Sequence, residues 1–414
     1  MGPGCETRFI ARQPILDSAQ QLYGYELLFR SGADIAFADI SAEHAARATL
    51  DLSLLLGAGS FTEGHRAFIN CTRDMLCSGI VRTLPPALAV LEVLEDVPAD
   101  GEIVCQCRQL KAAGYVIALD DIVSSSERPE LMELADIVKV DFLLTGEREQ
   151  QKIARHFARR GTQLLAEKVE THEQFRSAVK MGYTLFQGYF FCRPQTLQTR
   201  DLPAAQLDCL EILRRAHAPV LDLHELECAI REEPSLTFRL LRYLNSAAWG
   251  VYPVNSILQA LTLLGDGEIR KWLSMVAAIS LAGPRSRELI RMALERARFC
   301  EMVAEHLQVP RCEFFLAGLF SLLEAIMDRP LAQILDLVPI SNTCREALKG
   351  GCNLPGAALK LAMEFEAGRW EALPRLCAEL SCTEQQAWCW QLEAHQWGRL
   401  VLEKQNEAPK RGKS

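Results

Sequence analysis

The sequence predicts an α/β barrel of the (β/α)8 kind followed by an all-helical half. Three observations predict it. Short β-branched and aromatic runs alternate with helical patterns over roughly the first 200 residues, nearly every one of those runs ends in an acid, an amide or a lysine, and from Leu202 onward the strand patterns stop. At 414 residues, 49% of them apolar, the chain is long enough for two packed cores.

Strand patterns fall at 8–16, 22–30, 66–71, 88–95, 115–120, 136–141, 163–168 and 184–191, with helical stretches at 41–56, 102–113, 129–134, 147–160 and 171–181. Such alternation suits a barrel or a doubly wound sheet, and eight strands are available for closure. The link Asp17 to Gln21 is short enough for a hairpin, so the first two strands are expected to be antiparallel neighbours and the barrel to depart from the all-parallel arrangement at its start. Beyond Leu202, apolar positions recur at helical spacing through 205–216, 223–231, 235–247, 256–264 and 267–281. They continue at 285–307, 313–327, 331–337, 342–349, 355–367, 371–379 and 384–403, punctuated by Pro310, Pro330, Pro339 and Pro355. The boundary is expected at 195–204, dividing the chain into 1–200 and 201–414.

Composition excludes several classes. No apolar run reaches the length of a membrane span, and Met1 to Glu6 lacks the basic-then-apolar plan of a secretion signal, so a soluble cytoplasmic protein without membrane contact is expected. Fifteen cysteines with no Cys-x-x-Cys pair suit a reducing compartment and argue against both zinc and disulfides. A net charge of −8 argues against direct binding of duplex DNA, while leaving room for a local basic pocket that takes a small anion.

The polar strand ends carry the chemistry. They are Glu26, Asn70, Glu92 with Glu95, Asp120 with Asp121, Lys139 with Asp141, Glu167 with Glu170, and Gln187. In a parallel barrel the C-terminal strand ends meet on one face, so this ring converges on one site. Carboxylates gathered at one point repel one another and rise in pKa unless a cation is present. Hard oxygen donors of this kind suit Mg2+ or Mn2+, alone or as a pair, and such ions activate water and stabilise the oxygens of a phosphodiester cleavage. Lys139 adds a fixed positive charge that holds or polarises the water. One such residue alone reads equally well as a helix cap or a solvated strand end; the whole series does not.

The same residues resemble a known family. Glu26-Leu27-Leu28-Phe29-Arg30 is similar to the Glu-Ala-Leu-x-Arg signature of EAL cyclic di-GMP phosphodiesterases, with Leu in place of Ala. The similarity continues through Phe-x-Asn at Asn70, Glu-x-x-Glu at Glu92 and Glu95, the pair Asp120 and Asp121, Lys-x-Asp at Lys139, Glu-x-Val-Glu at Glu167 and Glu170, and Gln-Gly-Tyr from Gln187. The resemblance implies that Glu26, Asn70, Glu92, Asp120 and Asp121 hold Mg2+ or Mn2+, with Glu167 and Gln187 reaching the metal or its water, that Lys139 and Glu167 assist the nucleophilic water, and that Arg30, Gln187 and Asp141 face the substrate. Glu95 is implied as a loop anchor and Glu170 as a supporting acid. The implied reaction opens cyclic di-GMP to linear 5′-pGpG.

In the second half, 232–246 and Ile257 to Gly265 resemble the HDOD module, a catalytically silent relative of HD phosphohydrolases, as do 296–301 and 315–324. No His-Asp dipeptide occurs, and His217, His224, His306 and His395 are scattered, so a metal site is not expected there. All the tryptophans, Trp249, Trp272, Trp370, Trp388, Trp390 and Trp397, lie in this half and read as packing residues.

Two departures bear on activity. The family follows its Asp pair with a glycine-bearing loop, Phe-Gly-Thr-Gly-Tyr-Ser-Ser, whereas this chain has Ile122-Val123-Ser124-Ser125-Ser126-Glu127-Arg128. Lys168 stands where the family has Gly, and its ammonium competes with a cation for nearby carboxylates. The expectation is therefore a signalling regulator whose barrel recognises cyclic di-GMP with weak or no hydrolysis and whose helical half relays to a protein partner. The alternatives are an active phosphodiesterase and a non-binding scaffold. A homodimer through the barrel is a further implied contact.

Overall fold

The structure, a computed structural model, describes residues 8–31, 62–124, 128–158, 160–192, 211, 213–218, 220–232, 240, 257–281, 287–338 and 340–406. The chain divides into two compact units, residues 1–193 with 366–370, and residues 194–365 with 371–414. The expected boundary at 195–204 and the expected helices at 41–56 and 235–247 lie outside the described residues, apart from residue 240.

The first unit is a closed eight-stranded barrel in sequential order. Its strands are β1 (Arg8–Asp17), β2 (Leu22–Ser31), β3 (Arg66–Cys71), β4 (Ala89–Val93), β5 (Val116–Leu119), β6 (Ile137–Asp141), β7 (Gln163–Glu167) and β8 (Leu185–Gln187). β1 runs antiparallel to both β2 and β8, while the remaining neighbours are parallel, as the short first link predicts. Asp17 closes that link: its carboxylate accepts from the Ala19 and Gln21 amides, each at 2.8 Å. Helices α1 (Arg73–Ser78), α2 (Gly101–Ala112), α3 (Pro129–Met132), α4 (Glu147–Phe157) and α5 (His172–Met181) follow their strands. Three have side-chain caps that fix where they start: Thr72 accepts from the Met75 amide, Asp100 accepts from the Ile103 amide, and Thr171 with Gln174 forms a capping box.

The last strand is shorter than its 184–191 pattern. It ends at Gln187, and a 3₁₀ turn over Tyr189–Cys192 follows. Gly188 is the cause, because its φ of 135° is closed to other residues and a Cβ there would stand 2.2 Å from the Val169 carbonyl oxygen.

Inside the barrel, Ile15, Phe68, Val90, Ala118, Ile137, Leu165 and Leu185 form one fully buried apolar layer. In β3 to β8 the residue two positions further along each strand is Asn70, Glu92, Asp120, Lys139, Glu167 or Gln187. Side chains two apart on a strand point the same way. The apolar layer is thus the floor on which a polar layer is stacked, at the C-terminal rim.

The second unit is helical in every described element: α6 (Leu223–Glu232), α7 (Ile257–Leu281), α8 (Arg287–His306), α9 (Arg311–Phe320), α10 (Leu323–Met327), α11 (Leu331–Leu337), α12 (Asn342–Leu348), α13 (Leu354–Ala367), α14 (Leu373–Glu379) and α15 (Glu384–Asn406). α7 joins the two stretches expected at 256–264 and 267–281, with Gly265 leaving helical geometry between them. The single helix expected over 313–327 is two, α9 and α10, broken at Ser321 and Leu322. α8 and α9 pack backbone to backbone at Gly318, where a Cβ would come within 2.5 Å of the Ala297 nitrogen. Trp272 and Trp388 are buried, and Trp249 lies outside the described residues. Among the described residues, no helix is long and apolar enough to cross a membrane.

Candidate metal centre

Glu26 reaches the rim from β2, Asn70 and Glu92 from the ends of β3 and β4, Asp120 from the residue after β5, Lys139 from β6, Glu167 from β7 and Gln187 from β8. Strand register aligns them, with Asn70 opposite Glu92 and Asp141 opposite Glu167. Backbone hydrogen bonds continue the ladder past the strand ends: Asp120 N–H donates to the Val93 carbonyl, Ile122 N–H to that of Lys139, and Phe142 N–H to that of Glu167. The rim is therefore held in place by main chain as well as by the floor beneath it.

At its centre lies Lys139, 1% exposed, with its Nζ paired to Glu92, 2.8 Å from Glu167 Oε1, 2.9 Å from Asp120 Oδ1 and 3.4 Å from Glu26 Oε1. Gln187 Nε2 donates to Glu26 Oε2 at 2.5 Å and to Gln13 Oε1 at 2.8 Å. One ammonium among four carboxylates leaves the cluster short of positive charge. Burial pushes Glu92 well above the usual carboxylate range despite Lys139, and raises Glu167 to about 8. Burial alone would lower Lys139, but Glu167, Glu26, Glu92 and Asp120 together hold it well above the ordinary lysine value.

Carboxylate oxygens of Glu26, Glu92 and Glu167 lie within 4.8 Å of one another, and so do those of Asp120, Asp121 and Glu167. Three buried oxygens near this layer, Asn70 Oδ1, Glu92 Oε2 and Gln187 Oε1, accept no hydrogen bond. Buried acceptors without donors are costly, and in a set made only of hard oxygen donors a divalent cation satisfies them. The residues present thus fit a hard divalent ion, with Glu167 shared between two carboxylate groups.

Asp121 stands beside this layer with φ of 44°, a left-handed backbone that Asp tolerates, and burial raises its carboxyl. Asp141 is differently engaged. Its Oδ1 accepts from the Leu143 amide at 2.6 Å and the Leu144 amide at 3.0 Å, and its other oxygen pairs with Lys168. Against the effect of burial, these donors hold its carboxyl below the ordinary aspartate value.

Glu95 and Glu170 are exposed and stay outside the cluster. The backbone of Arg30 lies within β2, and its side chain is outside the described residues.

Sequence reasoning missed two residues here. Gln13, on the antiparallel β1, orients Gln187; its position two residues from Ile15 is the signal that would have placed it in the polar layer. Arg128 donates through Nη1 to the Leu94 carbonyl at 2.8 Å and through Nη2 to the Asp120 carbonyl at 2.9 Å, tying the exits of β4 and β5 together. It lies at the end of the glycine-poor loop, and nothing in the local sequence announces that contact.

In the helical unit His217, His306 and His395 make side-chain hydrogen bonds, and His224 is exposed. His217 shares a 2.8 Å hydrogen bond with Ser274, and burial pushes it down to about 4, so it stays neutral. His306 meets the Ser381 carbonyl at 2.9 Å, and His395 lies 2.5 Å from a Glu295 oxygen. Among the described residues both candidate metal-holding groups are in the barrel.

Comparison with known proteins agrees with this division. Residues 9–194 match the EAL domain family and residues 202–327 the HDOD domain family. The chain is 33% identical over 409 residues to the Bacillus subtilis protein YuxH, covering 95% of this chain and 99% of that one. It is 30% identical over 402 residues to the cyclic di-GMP phosphodiesterase CdgJ of Vibrio cholerae, covering 95% and 93% respectively. Among solved structures, an EAL domain protein from Listeria monocytogenes is 21% identical, with a TM-score of 0.36, over 44% of this chain and 87% of that one. With both domain families matched in order and relatives aligned over nearly their whole length, the chain belongs to the family of proteins in which an EAL domain is followed by an HDOD domain.

Proposed function

We propose that this protein is a signalling regulator whose barrel recognises cyclic di-GMP at the carboxylate rim, with weak or no hydrolysis, and whose helical unit relays the bound state to a protein partner. The observation that carries the reading is the buried Lys139 ringed by Glu26, Glu92, Asp120 and Glu167, beside the donorless oxygens of Asn70, Glu92 and Gln187. Glu26, Asn70, Glu92, Asp120 and Asp121 would hold Mg2+ or Mn2+. When bound, such an ion supplies positive charge to a phosphodiester and lowers the pKa of water. Lys139 and Glu167 hold a proton and a positive charge within hydrogen-bond distance of each other, as the handling of a water requires. Gln187 and Arg30 face the nucleotide in this reading, Arg30 matching a phosphate with its guanidinium fork. Asp141, at the same edge, faces the nucleotide with them in this reading, its carboxylate held by Lys168 and the Leu143 and Leu144 amides.

Weak turnover is supported by two local features. Lys168, from a left-handed backbone with φ of 53°, pairs its ammonium with the buried Asp141 at the edge of the rim. The loop after Asp121 lacks the glycines that give such a loop its freedom, and Arg128 ties its far end to the Asp120 carbonyl.

A second reading, an active phosphodiesterase releasing 5′-pGpG, is favoured by the gathering of every carboxylate needed to hold a metal, and by the name of the Vibrio cholerae relative. One experiment separates the two. Calorimetry of the full chain with cyclic di-GMP and either Mg2+ or Mn2+ is expected to show binding, and chromatography of the same mixture little or no 5′-pGpG. Rapid metal-dependent product formation, lost in Glu26→Ala, favours the second reading; no binding with either ion defeats both.

A further inference from the structure

The turn between α14 and α15 brings two thiols together. α14 ends at Glu379, and the chain then closes on itself through two main-chain hydrogen bonds. Ser381 N–H donates to the Ala378 carbonyl at 3.2 Å, and Cys382 N–H to the Cys377 carbonyl at 2.9 Å. Ser381, just before Cys382, has the left-handed φ of 52° that this helix ending requires. In such an ending the two residues joined by the outer bond commonly bring their side chains into contact, and that pair is ordinarily apolar. Here both are cysteines. A main-chain hydrogen bond of this length keeps their Cα atoms within about 7 Å of each other, and a disulfide spans roughly 4.4–6.8 Å.

The pair is asymmetric in the sense that thiol oxidation needs. Cys377 is buried, 3% exposed, whereas Cys382 is partly open. The Cys377 thiol donates a hydrogen bond to the Cys382 sulfur, which lowers Cys382 from the ordinary thiol value; the same bond and burial raise Cys377, and the neighbouring Glu384 carboxylate adds to that rise. The more accessible sulfur is thus the better nucleophile, with a second thiol beside it. Both sides of the turn are fastened. A His306 ring nitrogen meets the Ser381 carbonyl at 2.9 Å. Thr383 starts α15, its hydroxyl accepting from the Gln386 amide at 3.1 Å and its own amide donating to the Gln386 side chain at 2.9 Å. With four residues between them, the two cysteines fall outside the Cys-x-x-Cys pattern. Cysteine usage that argues against permanent disulfides leaves room for a transient, redox-sensing one.

We propose that Cys377 and Cys382 form a reversible oxidation site whose oxidant is a hydroperoxide and whose product is a disulfide across the α14–α15 turn. The Cys382 thiolate attacks the distal oxygen of the hydroperoxide. The O–O bond breaks, the remaining oxygen leaves as an alcohol or water after taking a proton from solvent, and Cys382 becomes a sulfenic acid. The Cys377 sulfur then attacks the Cys382 sulfur: the S–S bond forms, the S–O bond breaks, and the hydroxyl leaves as water with the Cys377 proton. Two thiols lose two electrons and the hydroperoxide gains them; a dithiol reductant reverses the change. α15 meets α8 through Glu393 with Arg298 and His395 with Glu295, so the new bond pins the start of a helix tied to α8.

The test is exposure of the reduced full-length protein to hydrogen peroxide, followed by iodoacetamide and by mass spectrometry with fragmentation of the tryptic peptide 376–399. In the wild type this peptide is expected to become two hydrogens lighter, with Cys377 and Cys382 closed to alkylation and Cys389 still open. That loss is expected to be complete before the exposed Cys105, Cys352 and Cys389 are oxidised, and dithiothreitol is expected to restore both sites. With dimedone present during oxidation, Cys377→Ser and Cys377→Ala are both expected to accumulate an adduct at Cys382, and Cys382→Ser none at Cys377. Cys377 and Cys382 still open to alkylation in the wild type when the exposed cysteines have been oxidised would overturn the proposal, whatever the variants do. So would a disulfide from Cys382 to any other cysteine, or a dimedone adduct at Cys377 in Cys382→Ser.

Discussion

At the scale of single residues, Glu167 decides how the centre responds to pH. Burial raises its carboxyl to about 8, from an ordinary value of 4.5. A raised carboxyl binds its proton more tightly in the folded protein than in the unfolded chain, so folding is favoured while that proton is kept. The contribution is complete below the unfolded value and is lost as pH climbs through the folded one. Glu92 shifts in the same direction for the same reason. Lys139 is raised as well, but its window lies above the ordinary lysine value and does not enter this range. In EDTA, the melting temperature is therefore expected to fall as pH rises from about 5.5 to 8.5. With Mn2+ present the slope is expected to flatten, because the ion replaces the protons that the carboxylates give up. Differential scanning fluorimetry across that range, with and without Mn2+, checks both statements; a melting temperature that climbs with pH in EDTA counts against them.

At the scale of elements, the centre is a consequence of strand periodicity, and that part was legible in the sequence. An apolar residue followed two positions later by Glu92, Asp120, Lys139, Glu167 or Gln187 announces a floor and a polar layer above it, once the strands are known to close. The polar contacts that cross between loops were not legible. Lys168 in a left-handed backbone, Arg128 on two carbonyls and the hold of Leu143 and Leu144 on Asp141 depend on backbone angles that no residue pattern states. The early end of β8 depends on Gly188 in the same way, and here the cost can be stated. Val169 N–H donates to the Gln187 carbonyl at 3.0 Å, and Phe190 N–H to the Val169 carbonyl at 3.1 Å, so the exits of β7 and β8 are stapled across a gap too narrow for a Cβ. Gly188→Ala is expected to destabilise the protein by about 3 kcal/mol through strain and forced separation of these strands. Urea unfolding checks it by a lower midpoint at unchanged slope. Because Gln187 holds Glu26, the same substitution is also expected to weaken Mn2+ binding.

At the scale of the whole molecule, a relay requires that the helical unit possess two arrangements and that nucleotide binding favour one of them. The unit carries features suited to discrete alternatives. Lys271 on α7 pairs with Glu301 on α8 and with Glu268 on its own helix, while Arg298 on α8 contacts Glu301 at 2.8 Å and Glu393 on α15 at 2.5 Å. Lys271 and Glu301 are buried, and a buried ion pair that loses one partner is strongly destabilised unless another takes its place. A shift of α7 against α8 that separated Lys271 from Glu301 would therefore have to supply each with another partner. If the barrel and the helical unit are coupled, adding cyclic di-GMP with Mn2+ to the full chain should change amide hydrogen exchange within 257–281, 287–306 and 384–406 as well as at the rim. Coupling between sites is ordinarily worth about 1–3 kcal/mol, a change of roughly 5- to 150-fold in the local opening equilibrium and well within reach of the measurement. Glu26→Ala, expected to lose the bound ion, serves as the control and should abolish both changes. Protection at the rim with unaltered exchange in all three helices would show that the nucleotide is recognised and its message goes no further, which removes the relay and leaves the binding site intact.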